Sequence, residues 1–320
     1  MPKLICLGLG YSARHYLAFF GHRHDRITGT ARTRERVEAF AGQAGLPIEG
    51  LAFDGRTASD ELLAALADAD ALLLSISPTE DRDPVLALLS GPVARAPRLQ
   101  TTVYLSTVGV YGDHGGRWVD EETEPRPRSA RSQARLAAER GWQDIARSAA
   151  KRIAILRLAG IYGPGRNALV QLRQGSARHV IKPGQIFNRI HVADLAQAID
   201  AAFHRRADGV FNVADDEPAP PQDVLAFAAE LIGCDLPPPI RFEEAQASMS
   251  PMARSFYGEN KRVRNAKLKA EFAVKLRYPT YREGLRALFA ARDRESGDAA
   301  DQNSSTTAIS RSMSSGRDSR

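Results

Sequence analysis

Cysteine is scarce in this chain of 320 residues. There are two, Cys6 and Cys234, and no C-x-x-C spacing joins them to anything. A disulfide framework is therefore excluded, and a reducing, cytoplasmic setting is expected. Cys6 lies inside an apolar run and reads as a small core residue. Long hydrophobic stretches are also lacking. The strongest, "ALLLSI" at 71–76, is far too short to span a bilayer. The opening "LICLGLG" is short and already broken by two glycines, which makes it a poor leader peptide and a good first strand with its loop. Runs of five or six like charges are absent too, so the net charge of +6 reads as an arginine-rich solvated surface. No continuous basic stripe points to nucleic acid.

What remains is an ordinary globular composition, 43% hydrophobic and 26% charged. Short apolar runs at 3–7, 26–31, 47–53, 71–76, 101–106, 152–158 and 210–213 alternate with helical segments. Those segments are 11–21, 33–43, 59–68, 84–90, 131–149, 192–205, 221–232 and 281–291. Such alternation predicts an α/β fold with a parallel sheet. The runs are near-continuously apolar, as strands covered on both faces must be. From about Arg292 the composition changes to serine-rich and polar, with no aromatics. Residues 291–320 hold five Arg and five Asp or Glu, so this tail is neutral and is expected to be disordered.

The first strand runs into Gly8-x-Gly10-x-x-Ala13, which opens a helix. In that context the pattern predicts a phosphate cradle for a dinucleotide. Gly8 makes the tight turn, Gly10 lets the backbone approach a pyrophosphate, and Ala13 lets helix and sheet pack closely. Tyr11 and Ser12 lie in the same turn, and Ser75 and Ile76 close the fourth strand beside it. The end of the second strand, "TGTARTRER", carries Arg32 and Arg34 and no acid before Glu35. Arginine there accommodates a 2′-phosphate, so NADP(H) is favoured over NAD. Asp54, in "LAFDG", is placed to reach the adenine amino group.

Five further stretches carry a resemblance: "YLSTVGVYGD" (104–113), "DEETEPRP" (120–127), "ILRLAGIYGPGRN" (155–167), "RIHVADLAQAI" (189–199) and "FNVADDEP" (211–218). In this order they resemble an extended short-chain dehydrogenase/reductase, the superfamily of nucleotide-sugar epimerases and dehydratases. The likeness covers about residues 1–290. It implies a doubly wound Rossmann-type parallel sheet, mainly residues 1–164 and 189–214, with a small C-terminal substrate lobe, mainly 165–188 and 215–290. It also implies a small-molecule substrate and a possible homodimer through helices 84–90 and 131–149.

The resemblance exposes a gap. Members of the family pair a Ser or Thr after the fifth strand with a Tyr-x-x-x-Lys on the next helix. Tyr transfers the proton, and Lys binds the nicotinamide ribose. Thr107 matches the first position. Counting back from Glu139 in "RLAAE", the Tyr and Lys positions hold Arg131 and Arg135. Arginine does not deprotonate at ordinary pH and cannot be the acid or base. Gly160 also departs from the asparagine of many members. Tyr111, Tyr162 and His114 are the residues left as possible acids, with Tyr111 taken into the candidate catalytic set beside Thr107, Arg131 and Arg135. His191 reads as a cap, and His22-x-His24 lacks a third metal ligand nearby. Arg126, Arg128, Arg131 and Arg135 are expected near the mouth of the cleft. With 131 and 135 on one helix face, they would clamp an anionic ligand, or Arg135 would take over the ribose contact. Two functions follow: an NAD(P)-dependent oxidoreductase or epimerase-like enzyme on a small anionic substrate, or a dinucleotide sensor without turnover.

Overall fold

The computed structural model describes residues 1–80 and 82–291. Its centre is a seven-stranded parallel sheet. The strands are β1 (Lys3–Leu7), β2 (Arg26–Ala31), β3 (Ile48–Ala52), β4 (Ala71–Leu74), β5 (Thr101–Thr107), β6 (Arg152–Leu158) and β7 (Gly209–Val213). Their spatial order is β7-β6-β5-β4-β1-β2-β3, all pairs parallel. The chain winds outward in opposite directions from β1 and β4. The crevice beyond the carboxyl ends of those two strands is where open α/β sheets bind ligands.

The apolar runs become strands because both of their faces are buried. Leu4 and Cys6 of β1 join one core cluster while Ile5 and Leu7 join the other. In β6, Ala154 and Leu156 divide from Ile153 and Ile155 in the same way. One face is covered by α1 (Tyr11–Phe20), α2 (Arg34–Ala44) and Val192–His204. The other is covered by α3 (Asp60–Asp68), α4 (Pro84–Arg95) and α5 (Ala130–Ser148). This is a Rossmann-type doubly wound sheet.

α4 outruns its expected end at residue 90 despite Gly91 and Pro92. Val93 is buried in the same cluster as Val85 and Leu89, and that packing outweighs the hydrogen bond Pro92 cannot donate. Segments without a strong period were passed over in the sequence, including the helices Ala168–Arg173, Pro251–Tyr257 and Ala266–Phe272. Ala168–Arg173 packs in a separate core with Tyr162, Phe227, Tyr281 and Leu285, Pro251–Tyr257 in a small cluster with Val180 and Met249, and Ala266–Phe272 against the main core through Leu268 and Phe272. Among the described residues, no helix is long and apolar enough to cross a membrane. The tail from 292 onward lies outside the described residues.

Candidate dinucleotide crevice

β1 delivers the chain into a turn that only glycine fits. Gly8 has φ of +94°, and a Cβ there would lie 2.7 Å from Ile76 Cγ1. Its amide donates to Thr30 Oγ1 at 2.9 Å, and the Leu9 amide donates to the Thr30 carbonyl at 2.8 Å, so the turn is bolted to β2. The neighbouring strand end is held by Ser75, whose amide donates to the Leu7 carbonyl at 3.0 Å. Gly10 is different. A Cβ on it would meet nothing within 4 Å, and it starts α1 with no side-chain cap. α1 therefore starts without a side-chain cap, beside open space at Gly10. Ala13 is fully buried where α1 packs. These residues fit a pyrophosphate: a tight turn, an open approach and a positive helix end. Tyr11 leans the other way, donating to the Pro164 carbonyl at 3.0 Å; burial pushes its phenol up to about 12.

At the end of β2 the two arginines part company. Arg32 is exposed and enters no ion pair or hydrogen bond among the described residues. Arg34 is engaged, its Nη2 lying 2.8 Å from Glu61 Oε2. Asp54, exposed after β3, accepts the Arg56 amide at 2.9 Å in a local turn.

The opposite wall is the end of β5 and the start of α5. Thr107 caps a short turn at 108–111, its Oγ1 accepting the Gly109 amide at 3.1 Å. A methyl on Gly109 would lie 3.0 Å from Ser132 Oγ and 3.3 Å from Thr107 Oγ1. Two hydroxyls thus converge over Gly109. Ser132 in turn accepts from Ser129 Oγ at 3.0 Å. No motif in the sequence marks Ser132; its only signal is the Ser129-x-x-Ser132 spacing of a helix cap.

Three expectations for this wall are overturned. Tyr111 is not a surface acid. It is fully buried, donates to Asn212 Oδ1 at 2.8 Å and lies under the Arg157 guanidinium; burial pushes its pKa up, away from acid duty near neutrality. Arg135 does not share a clamp with Arg131. It is buried and pinned, with Nη1 on the Leu105 carbonyl (2.9 Å) and Tyr104 hydroxyl (3.1 Å) and Nη2 on Ser77 Oγ (2.8 Å). Nor is there a shared cluster at the mouth, because Arg126 pairs with Glu124 and Arg128 with Asp113. Arg131 is left exposed, with no ion pair or hydrogen bond among the described residues.

The other candidates have structural work. Tyr162 is buried and directs its hydroxyl at the Thr280 carbonyl. His114 Nε2 meets the Tyr111 carbonyl at 3.1 Å. His191 caps Val192–His204 by accepting the Ala193 amide. His24 bonds the Tyr16 hydroxyl at 2.7 Å, beneath α1. Gly160 donates to the Asn188 carbonyl, which a Cβ there would approach to 3.2 Å. Lys261, which no motif flagged, is buried and donates to the Gly112 carbonyl and the Glu259 carboxylate, both at 2.7 Å; burial pushes its pKa down.

Beneath α5 lies its anchor. Glu139 and Arg157 form a buried ion pair at 2.8 Å, and Ser106 Oγ also donates to Glu139. This wall therefore offers hydroxyls and cations, and no group at the start of α5 that exchanges a proton near neutral pH.

Residues 86–214 match the NAD dependent epimerase/dehydratase family. The chain is 28% identical over 262 residues to Protein YeeZ of Escherichia coli K12, covering 74% of this chain and 86% of that one. It is 44% identical to a functionally unknown conserved protein from Silicibacter pomeroyi, with a TM-score of 0.80 over 91% of this chain and 99% of that structure. MoeE5, solved in complex with UDP-glucuronic acid and NAD, matches with a TM-score of 0.72 over 92% of this chain and 99% of its own. At 19% identity this is a likeness of fold.

Proposed function

This chain belongs to the NAD dependent epimerase/dehydratase family, and from that premise we propose that it binds a dinucleotide, NADP(H) in preference to NAD, for oxidoreductase or epimerase-like chemistry on a small anionic substrate. The observation that carries the reading is the Gly8–Ala13 turn, which excludes a side chain at Gly8 and leaves open space at Gly10. The cofactor supplies hydride transfer when bound. The chain's own part is to hold the phosphates on the uncapped amides of α1 and to place Thr107, with Ser132 beside it, against a reacting oxygen. Exposed Arg131, on the first turn of the 19-residue α5 and without an ion pair among the described residues, adds a guanidinium to a positive helix end. That supports an anionic substrate. The UDP-glucuronic acid bound by MoeE5 is one such class.

A second reading, dinucleotide binding without turnover, is favoured by one observation: Arg135, at the position that the resemblance gives to lysine, is buried and turns both Nη atoms to Tyr104, Leu105 and Ser77 of the protein itself. The test is a fluorescence titration of the full chain with NADPH and NADH, followed by nicotinamide absorbance with carbonyl compounds and sugar nucleotides. Tight NADPH binding with substrate-dependent absorbance change supports the enzyme. Binding without any change supports the second reading. Failure of both dinucleotides to bind refutes both.

A further inference from the structure

At the rim beyond β2 and β3, exposed charged side chains gather around the starts of α2 and α3. On one side Arg32, Arg34 and Arg36 line the start of α2, all exposed. On the other, Asp60 and Glu61 open α3, whose start is fixed by Ser59 accepting the Leu62 amide. Among the described residues the two groups are joined at one ion pair, Arg34 Nη2 to Glu61 Oε2 at 2.8 Å, with both side chains at least half exposed. An arginine in such a pair is a poorer receiver for a second anion. It must leave its carboxylate or share its donors with it.

We propose that Glu61 is a specificity-determining residue for the dinucleotide. It holds Arg34 away from a 2′-phosphate and places a like charge beside it, leaving Arg32 as the principal reader. This rests on the dinucleotide reading above and deepens it. NADPH brings a dianionic 2′-phosphate to this rim, where NADH has only a hydroxyl. Removing the Glu61 charge therefore improves NADPH selectively. An exposed ion pair is worth little, so the expected gain is about three- to fivefold. Salt screens it, and the effect shrinks as ionic strength rises.

The experiment titrates NADPH and NADH into the native chain, Glu61→Gln, Arg34→Gln and the double variant, following nicotinamide fluorescence at low salt. All positions are exposed, so folding is not at issue. The NADPH-to-NADH affinity ratio is expected to rise about three- to fivefold in Glu61→Gln. Most of that rise should vanish when Arg34→Gln is already present. An unchanged ratio in Glu61→Gln overturns the proposal, as does an equal rise with and without Arg34. If neither dinucleotide binds the native chain, the dinucleotide reading itself falls. Binding of both with an insensitive ratio removes only the role of Glu61.

Discussion

The two walls of the crevice are built by opposite means. The loop after β1 is a backbone device: Gly8 and Gly10 work through what they lack, and bolts to Thr30 and Leu7 fix the turn. The start of α5 is a side-chain device, with Arg131 and Arg135 at the two positions where the resemblance leads one to expect a tyrosine and a lysine, and Ser132 between them. Backbone-built binding survives any change that leaves the turn intact. Side-chain chemistry is lost with two substitutions, while the helix that carried it stays in place through Glu139, Arg157 and Ser106. Binding and turnover are therefore separable in this architecture, and one can persist without the other.

The largest effect should come from the anchor of the α5 wall. Arg157→Leu strands the buried Glu139 carboxylate and should cost about 3–5 kcal/mol, read by chemical denaturation. A loss under 1 kcal/mol would mean that α5 is held by apolar packing alone. On the opposite wall, Gly8→Ala combines a positive φ with a 2.7 Å approach to Ile76. It should lose roughly 1–3 kcal/mol and abolish NADPH binding. Gly10→Ala should leave stability within about 1 kcal/mol, since its methyl meets nothing, yet weaken NADPH, because that methyl stands where the phosphates approach. Equal behaviour of the two glycine variants would break the backbone-device account.

The next effect is a pH dependence of stability. Burial lowers His24 and His191 to about 4, from an ordinary value of 6.5. Both lie on the face of α1 and Val192–His204, His24 bonded to Tyr16 of α1 and His191 at the N-terminus of Val192–His204. The unfolded chain takes up these protons first, so stability is complete above pH 6.5 and falls as pH drops toward 4. The loss should be on the order of 3 kcal/mol per histidine. Thermal melts across this window should flatten in His24→Gln. Equal pH sensitivity in that variant would assign the acid loss elsewhere. The smallest effect belongs to Arg131→Gln. Being exposed and unpaired, it should change stability by less than about 0.5 kcal/mol while weakening an anionic ligand such as UDP-glucuronic acid. An unchanged affinity would remove Arg131 from the site.

The strands, the glycine turn and the arginine replacements at 131 and 135 were legible in the sequence, since each is a local pattern: a run, a spacing, a residue type at a counted position. Burial of both strand faces writes itself as continuous apolar runs, and a turn at positive φ writes itself as glycine. What those arginines do was not legible. Arg135 is pinned by Ser77 and Leu105, and Arg34 by Glu61, partners far away in sequence. Tyr111 looked available because its motif is local, while Asn212, which takes its hydroxyl, arrives from β7. Lys261 and Ser132 gained their surroundings in the same way. The chain alone determined that there is a parallel sheet with a glycine turn after its first strand, because backbone conformation and hydrophobic periodicity are local and encode themselves. Only the tertiary structure decided which charged and hydroxyl groups remain free to face that opening, because a guanidinium or phenol is spent or spared by whichever distant partner the fold brings beside it.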